Sequence, residues 1–350
     1  MEPLYQRIQQ EIKRQIRDGA LRPGDRVPSE KELAAQYGVS QITSKNALLG
    51  LVEEGLLVRF QGKGTFVRMS EGEAEQATAS DDVRSTIALI LPTMKTKVDQ
   101  RLLDGIERYC SEAGYELLVR ITRESQEEEA KAIERFRERG VDGFIIFPVE
   151  NESYNDAILR LSLDRVPLVL IDRFLREIKT YSVSSANLEG TCAAVTDLIG
   201  RGHRSIVYLS PEITNSVTDE RAKGFEQALV DSGLPIDKQL WCMLSLETIA
   251  KQQAYDEILR FLEGRPEATA VFAVNSELAR YAYAALRSLR KRVPTDVELV
   301  AFDAYELDGV SVLAQREDEM SRMTVELLAE QLQGTFRPRR LMVPVDYRKV

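Results

Sequence analysis

Two helix starts follow each other closely near the N-terminus, and a glycine separates the helices that they begin. Ser29 and Glu32 have the spacing of a capping box, in which each side chain can bind the backbone amide of the other residue. Gly38 permits a sharp turn, and Ser40 caps a second helix that we expect over residues 41–54. The spacing predicts a compact two-helix unit.

The segments on either side complete this unit. The leading segment carries an apolar residue at every fourth position, which predicts one buried helix face. This face consists of Leu4, Ile8, Ile12 and Ile16. After the two-helix unit, Gly62 and Gly64 lie within residues 58–67 and predict a hairpin whose backbone can approach another molecule closely. Together these elements predict a winged helix-turn-helix, a fold that reads DNA.

These residues resemble the GntR family of bacterial transcription regulators. The matching stretches are 21–34, 38–40 and 62–67, at the family's usual spacing. The resemblance implies that the helix after Ser40 enters the major groove while the hairpin tip lies in the adjacent minor groove. Carried over position by position, it implies a DNA-binding set of Lys31, Ser40, Gln41, Ile42, Lys45, Gln61, Gly62 and Lys63.

Two positions in this set depart from the family pattern. The family commonly has arginine where this chain has Gln41 and Lys45, so bidentate arginine readout of guanine is lost there. Gln41 can pair with adenine instead, and we expect Lys45 to act as a point charge on phosphate. Ser29 is interpreted as a helix cap alone.

The charge of the chain is unevenly distributed. Residues 1–69 contain eleven Lys or Arg and eight Asp or Glu, a net charge of +3, and the whole chain has −9, which leaves −12 for the remainder. The net negative charge of the whole chain therefore does not argue against a DNA-binding N-terminal segment. Because the excess is modest, we expect one copy to bind DNA weakly and a homodimer on a two-fold operator to bind by avidity.

Composition also suggests the domain boundaries and the compartment. Residues 69–82 have almost no large apolar side chain, which predicts a solvated linker between a winged-helix domain at 1–69 and a larger domain at 85–350, with the linker at 70–84. No apolar run reaches membrane-spanning length, and the N-terminus lacks the pattern of a signal peptide. Three scattered cysteines predict reduced thiols, so we expect a cytoplasmic protein.

From residue 85 onward, short apolar runs alternate with periodic helical segments. The runs expected to form strands are 86–91, 116–121, 143–148, 167–171, 205–209, 270–274 and 298–302. Continuous apolar strands separated by helices are typical of parallel sheets covered on both faces. Because there are too many units for one sheet, we predict two α/β lobes with a ligand between them, at the carboxyl ends of the strands.

This region resembles the effector domain of the LacI/GalR family, which is similar to periplasmic sugar-binding proteins. The motifs lie in the family's order at 170–173, 183–187, 202–204, 221–225, 273–275, 293–294 and 301–303. The resemblance implies an effector cleft that includes Arg221, Asn275 and Asp303, with Asp172 and Trp241 as further candidates. A GntR-type head on this domain is similar to the arabinose-responsive repressors of Gram-positive bacteria.

The chemistry of these side chains suits a polyol, and each has a structural alternative. Arg221 offers a planar fork of donors and Asp303 accepts from paired hydroxyls. Trp241 could stack under a sugar ring or pack in the core of a lobe. Arg221 could instead form a surface salt bridge, and Asp303 could cap the following turn.

Departures from the family leave the effector class open. Ala186 and Ser276 stand where the family usually has aspartate, and Ala304 stands where it often has an acidic or amide residue. Lys95 and Lys97 follow the first strand of this domain, so an anionic effector such as a sugar acid or sugar phosphate is an alternative. A solvated loop is the other interpretation of this lysine pair.

Other classes of function find less support. His203, the single histidine, lies in a turn where capping is the usual role, and we find no nucleotide-binding motif, metal-ligand spacing or nucleophile–base pair. We therefore expect no catalytic residues, metal or cofactor. A secreted solute receptor would lack the DNA-binding segment, and a large domain that only dimerises remains the third alternative.

These observations predict a ligand-responsive DNA-binding regulator. A homodimer would hold two winged heads at the spacing of two operator half-sites. Effector binding would re-angle the lobes and alter that spacing. Release of the operator by effector is implied by the family resemblance alone.

Overall fold

The computed structural model describes residues 4–22, 24–60, 64–68, 85–150 and 155–350. The chain divides into two compact units, with the boundary between residues 83 and 84. The units have separate apolar cores, and each is described by itself below.

The N-terminal unit is a winged helix-turn-helix. Its elements are the helices α1 (Leu4–Arg17), α2 (Glu30–Tyr37) and α3 (Gln41–Glu53) and the antiparallel strands β1 (Leu57–Phe60) and β2 (Gly64–Val67). Ile8 and Ile12 of α1 are buried in its core. Leu4 was expected in the same buried face but is 51% exposed, because it begins α1 and lies one turn before the core residues.

The predicted caps determine where these helices begin. The backbone amide of Ser29 donates to Glu32 Oε2 at 2.7 Å, and the amide of Glu32 donates to Ser29 Oγ at 3.3 Å. This capping box satisfies two amides that the first turn of α2 would otherwise leave free. Gly38 has a φ of 61°, in the left-handed region that favours glycine, and ends α2.

The larger unit contains two six-stranded sheets. The strands of the first are β3 (Thr86–Leu91), β4 (Glu116–Ile121), β5 (Gly143–Ile146), β6 (Leu168–Ile171), β7 (Tyr181–Ser185) and β13 (Arg340–Val343). All are parallel, in the order β13-β7-β6-β5-β3-β4. The strands of the second are β8 (Ile206–Pro211), β9 (Trp241–Leu244), β10 (Ala270–Ala273), β11 (Glu298–Phe302), β12 (Val310–Ala314) and β14 (Asp346–Arg348).

The second sheet has the order β14-β12-β11-β10-β8-β9, and only β14 runs antiparallel to its neighbour. The helices of the unit are α4 (Lys97–Glu112), α5 (Gln126–Glu138), α6 (Asp156–Leu163), α7 (Asn187–Gly200), α8 (Ser216–Asp231), α9 (Leu246–Ala250), α10 (Ala254–Glu263), α11 (Ser276–Ser288) and α12 (Glu317–Leu332). A 3-10 turn spans Lys238–Leu240. Two parallel α/β lobes were predicted, and this fold class is confirmed.

Alternation along a strand explains why helices cover both faces of the first sheet. In β3, Ile87 and Leu89 pack in one apolar cluster with Leu102 of α4, whereas Ala88 packs in another with Ile133 of α5. Successive side chains of a strand point to opposite faces, so an uninterrupted apolar strand needs two covering layers.

Three crossings join the two sheets and their helices, which we call the first and second lobes. The chain passes from β7 to α7, from β12 back to α12, and from β13 to β14. Ser185 Oγ and Gln315 Oε1, on the first two crossings, are joined by a hydrogen bond of 2.7 Å. The crossings place the carboxyl ends of both sheets along a shared crevice, where ligands of open α/β sheets bind.

Candidate DNA interface and ligand cleft

Two hydroxyl groups fix the start of α3 through hydrogen bonds, one within the helix start and one to α2. Ser40 Oγ accepts from the amide of Thr43 at 3.2 Å, so this predicted DNA-binding residue is also the N-cap of the helix. Ser44 is buried, and its hydroxyl donates to the carbonyl of Glu30 at 2.7 Å. This bond fixes the angle at which α3 leaves α2, because it ties the first turns of both helices together.

The remaining predicted DNA-binding residues of α2 and α3 are exposed. Gln41 and Lys45 are one helical turn apart and therefore share one face of α3. Ile42 on the same turn is 71% exposed, which is unusual for a large apolar side chain and suits contact with a thymine methyl. Lys31 is exposed in the first turn of α2. The predicted hairpin residues Gln61, Gly62 and Lys63 lie outside the described residues.

In the larger unit, Arg221 forms the centre of the candidate ligand cleft. Its Nε donates to Asn187 Oδ1 at 2.8 Å, and its Nη1 donates to the carbonyl of Val274 at 2.5 Å. The guanidinium lies 3.5 Å from the centroid of the Phe302 ring. Arg221 is only 5% exposed, which excludes the surface salt bridge considered above. Burial lowers the pKa of this guanidinium, and neighbouring carboxyls act in the opposite direction.

Two carboxyls, one from each lobe, lie within electrostatic range of Arg221. Asp172 follows β6 of the first lobe, and Asp303 follows β11 of the second. Burial raises the pKa of Asp172 to about 6, although Arg173 and Arg221 lower it. Burial also raises the pKa of Asp303, against the opposing effect of Arg221. Both aspartates therefore belong to one charged cluster that spans the crevice.

The backbone at both aspartates is strained. Asp172 has a φ of 65° and Asp303 a φ of 56°, in the left-handed region that costs a non-glycine residue about 1–3 kcal/mol. Such strain persists where the surroundings hold it, and it is frequent at ligand sites. At Asp303, two hydrogen bonds from Gln315 hold the carboxylate. The backbone amide of Gln315 donates to Oδ1 at 3.1 Å, and its side-chain nitrogen donates to Oδ2 at 2.7 Å.

Asn275 borders the cleft with part of its side chain already engaged. Its Oδ1 accepts from the amide of Leu278 at 2.9 Å and caps α11. Asn275 directly follows Val274, whose carbonyl binds Arg221. Because the cap uses the side-chain oxygen of Asn275, the side-chain nitrogen is the group that can donate to a ligand.

Trp241 packs against the core of the second lobe, which favours the core-packing alternative over a ring stacked under a sugar. It begins β9 in register with Tyr208 of β8, which in turn is in register with Phe272 of β10. The centroid of its ring lies 4.4 Å from that of the Tyr208 ring and 5.8 Å from that of the Phe225 ring. The core-packing alternative therefore describes Trp241, and we omit it from the cleft.

Sequence reasoning missed two buried residues of the cleft. Asp99 is 3% exposed in the first turn of α4 and interacts electrostatically with Asp172. Its signal was the capping box that it forms with Thr96, at the start of the helix that follows the first strand of the lobe. Asn187 is 1% exposed and orients Arg221, a role that no local pattern reveals.

His203 lies at the opposite edge of the second sheet. One ring nitrogen is 2.9 Å from Thr269 Oγ1 and the other is 3.0 Å from Glu298 Oε1. These residues lie at the amino ends of β8, β10 and β11, so the histidine joins strands far from the cleft. Within the described ranges, no group of three or more His, Cys, Asp or Glu side chains is arranged so that it could hold a metal ion.

Comparison with known proteins matches both units. The model of the bacterial regulatory proteins of the GntR family matches residues 4–67, and that of the periplasmic binding protein-like domain matches residues 195–349. The chain joins a GntR-type head to a periplasmic binding protein-like domain. The GntR-type head is thus the winged unit described above, and the predicted resemblances to GntR and LacI/GalR proteins are confirmed.

Individual relatives of this chain are transcription regulators. An arabinose metabolism transcriptional repressor of Halalkalibacterium halodurans is 28% identical over 309 residues, which cover 87% of this chain and 81% of the relative. A histidine utilization repressor of Klebsiella aerogenes is 47% identical over 89 residues, 25% of this chain and 35% of that one.

A solved structure resembles the larger domain. A LacI family transcriptional regulator from Enterococcus faecium, crystallised with bound ribose, matches with a TM-score of 0.63 and 25% identity. The match covers 75% of this chain and 97% of that one. In the part of this chain that the structure describes, no helix has the length and apolar character needed to cross a membrane.

Proposed function

We propose that this protein is a ligand-responsive repressor that binds operator DNA and is released by a sugar or sugar derivative. The observation that carries the proposal is the buried Arg221 with Asp172 and Asp303 placed across the crevice from different lobes. A ligand that binds all three contacts both lobes at once. Its binding energy therefore depends on the angle between the lobes, which is the requirement for a ligand to shift a conformational equilibrium.

The polar groups of the cleft suit a neutral, hydroxyl-rich ligand. Carboxylates accept hydrogen bonds from hydroxyls, and a guanidinium donates to hydroxyl or ring oxygens. The three carboxyls Asp99, Asp172 and Asp303 outnumber the two guanidinium groups of Arg173 and Arg221 in this cluster, which disfavours an anionic ligand. Lys95 and Lys97, which left an anionic effector open, are both exposed. Arabinose and ribose, named in the relatives, are therefore the first ligands to test.

The second part of the proposal concerns assembly and catalysis. We infer a cytoplasmic homodimer, since the modest positive charge of the head favours two heads on a two-fold operator. We propose no enzymatic activity: the relatives are transcription regulators, and His203 lies at the edge of the sheet opposite the cleft. Sedimentation with and without operator DNA tests the dimer.

The decisive experiment couples the two domains. Operator fragments selected from random DNA by the full-length protein are titrated by fluorescence anisotropy, with and without saturating arabinose or ribose. We expect the sugar to weaken operator binding by ~5–150-fold, the usual range of allosteric coupling. A sugar that binds by calorimetry yet leaves operator affinity unchanged would contradict the regulatory proposal and favour a large domain that only dimerises.

A further inference from the structure

Glu150 and Arg173 form an ion pair at the rim of the crevice. Both belong to the first lobe, Glu150 after β5 and Arg173 after β6. Arg173 Nη2 lies 2.6 Å from Glu150 Oε2, and the two side chains are only 14% and 23% exposed. Arg173 also donates to the carbonyl of Pro148 at 2.9 Å and lies over the ring of Phe147. The guanidinium is therefore immobilised within its own lobe.

The other oxygen of Glu150 binds the second lobe. Glu150 Oε1 accepts from Thr214 Oγ1 at 3.0 Å and from the side-chain nitrogen of Asn215. Asn215 is the N-cap of α8, because its Oδ1 accepts from the amides of Val217 and Thr218 at 2.9 and 3.0 Å. One amide side chain thus both begins α8 and ties that helix to Glu150.

These bonds join the two sides of the ligand cleft. Arg173 directly follows Asp172, and Asn215 begins the helix that carries Arg221. A neighbouring bond strengthens the junction, since the amide of Phe174 donates to Ser216 Oγ at 3.0 Å. Because the side chains are largely shielded from water, these charged hydrogen bonds are stronger than those of an exposed ion pair.

We propose that Glu150 is a positioning residue for ligand binding, which holds the lobes together and fixes Asp172 relative to Arg221. Glu150 itself does not contact the ligand. The ligand part of this inference rests on the proposed function, whereas the closure of the lobes does not. Two substitutions separate the roles. Glu150→Ala removes the bridge, and Asn215→Asp keeps an oxygen that can cap α8 but places a carboxylate against Glu150.

Hydrogen exchange of the full-length protein tests closure without any ligand. For Glu150→Ala and Asn215→Asp we expect exchange to rise about tenfold at the rim, in peptides covering 172–176 and 212–220, while β5 and β8 keep their protection. Glu150→Gln/Asn215→Asp restores a donor–acceptor pair and should recover part of the protection. Glu247→Gln is the matched control, since Glu247 is exposed and pairs with Lys251 on the same helix surface. Exchange that rises throughout both lobes, or nowhere, overturns the proposal.

Ligand kinetics test the positioning role, with arabinose and ribose as the probes. In the Glu150→Ala protein we expect the sugar to dissociate about tenfold faster while its association rate changes less than about twofold, because the loss of closure acts on the bound state. Glu150→Gln should lie between Glu150→Ala and the wild type. Equal affinity in all variants, with the rim opened, overturns the positioning role. If the wild type binds neither sugar, arabinose and ribose are excluded as effectors, and the exchange experiment still decides closure.

Discussion

The guanidinium of Arg221 lies 3.5 Å from the centroid of the Phe302 ring. Because Phe302 ends β11 and Asp303 follows it, this stacking holds the arginine fork beside the carboxylate. A desolvated cation–π contact contributes about 2 kcal/mol. Together with the bond to Asn187, it orients the fork by contacts within the protein, so a ligand need not order this side chain when it binds.

Substitution of Arg221 should uncouple ligand from DNA. Because hydrogen bonds to charged groups contribute ~1.5–3 kcal/mol each, we expect Arg221→Ala to weaken sugar binding by roughly 100-fold and to remove the response of operator binding. Arg221→Lys keeps the charge but loses the planar fork, and should also lose most of the response. Anisotropy with operator DNA measures both effects. Intact operator affinity without sugar is the control, and a normal sugar response would remove Arg221 from the cleft.

The buried carboxyl of Asp172 should make stability depend on pH. Its pKa is raised to about 6, whereas an unfolded aspartate titrates near pH 4. Between these values the folded state binds more protons than the unfolded state, so stability falls as pH rises from about 4 to 6 and then levels off, by on the order of 3 kcal/mol.

Asp172→Asn should lack this decline. The difference in unfolding midpoint between wild type and variant, followed from pH 4 to pH 7, isolates the contribution of Asp172 from that of other carboxyls. As pH rises, the unfolding midpoint of the wild type should fall relative to that of the variant. A difference that is independent of pH would contradict the buried, titrating carboxyl.

The two polar residues on the exposed face of α3 should behave differently on DNA. Lys45→Ala should weaken binding to every sequence and reduce the salt slope by ~0.9, as expected for one lost phosphate contact. Gln41→Ala should relax preference at particular bases by ~1–3 kcal/mol. Binding to operator and scrambled duplexes at several salt concentrations checks both. Lys97→Ala, in the larger domain, serves as the matched lysine control, and equal loss of preference in both α3 variants would refute the assigned roles.

Trp241 should matter for stability and not for ligand affinity. Trp241→Phe removes part of the packing against Tyr208, and we expect a loss of about 1–2 kcal/mol in the free energy of unfolding. Thermal denaturation followed by circular dichroism measures this loss, and calorimetry with sugar measures affinity. A large drop in affinity with unchanged stability would return Trp241 to the cleft.

Local pattern predicted much of this fold. The seven strands predicted from apolar runs are present, with small shifts at their ends, and the caps at Ser29 and Ser40 begin the expected helices. Strands β7, β9, β12, β13 and β14 were not predicted. The serines of β7 and the short, half-exposed β14 lack the continuous apolar run that marks a buried parallel strand.

The cleft was predicted only in part. Arg221, Asp172, Asp303 and Asn275 lie along one crevice, but the motif that contains Asp172 did not reveal that its neighbour Arg173 turns away to bind Glu150. Nor could the sequence reveal that Trp241 lies at the amino end of its strand, because it did not mark β9 as a strand.

The sequence by itself determined the winged head, the parallel α/β class and the helix starts. These depend on contacts between residues a few positions apart, whose periodicity and capping can be read directly. Only the tertiary structure decided which polar groups share the crevice, because three crossings bring together residues as distant as Asp99, Asp172, Arg221 and Asp303. It also decided which polar residues face the ligand and which hold those residues in place, because these roles depend on burial and on hydrogen bonds between residues distant in the chain.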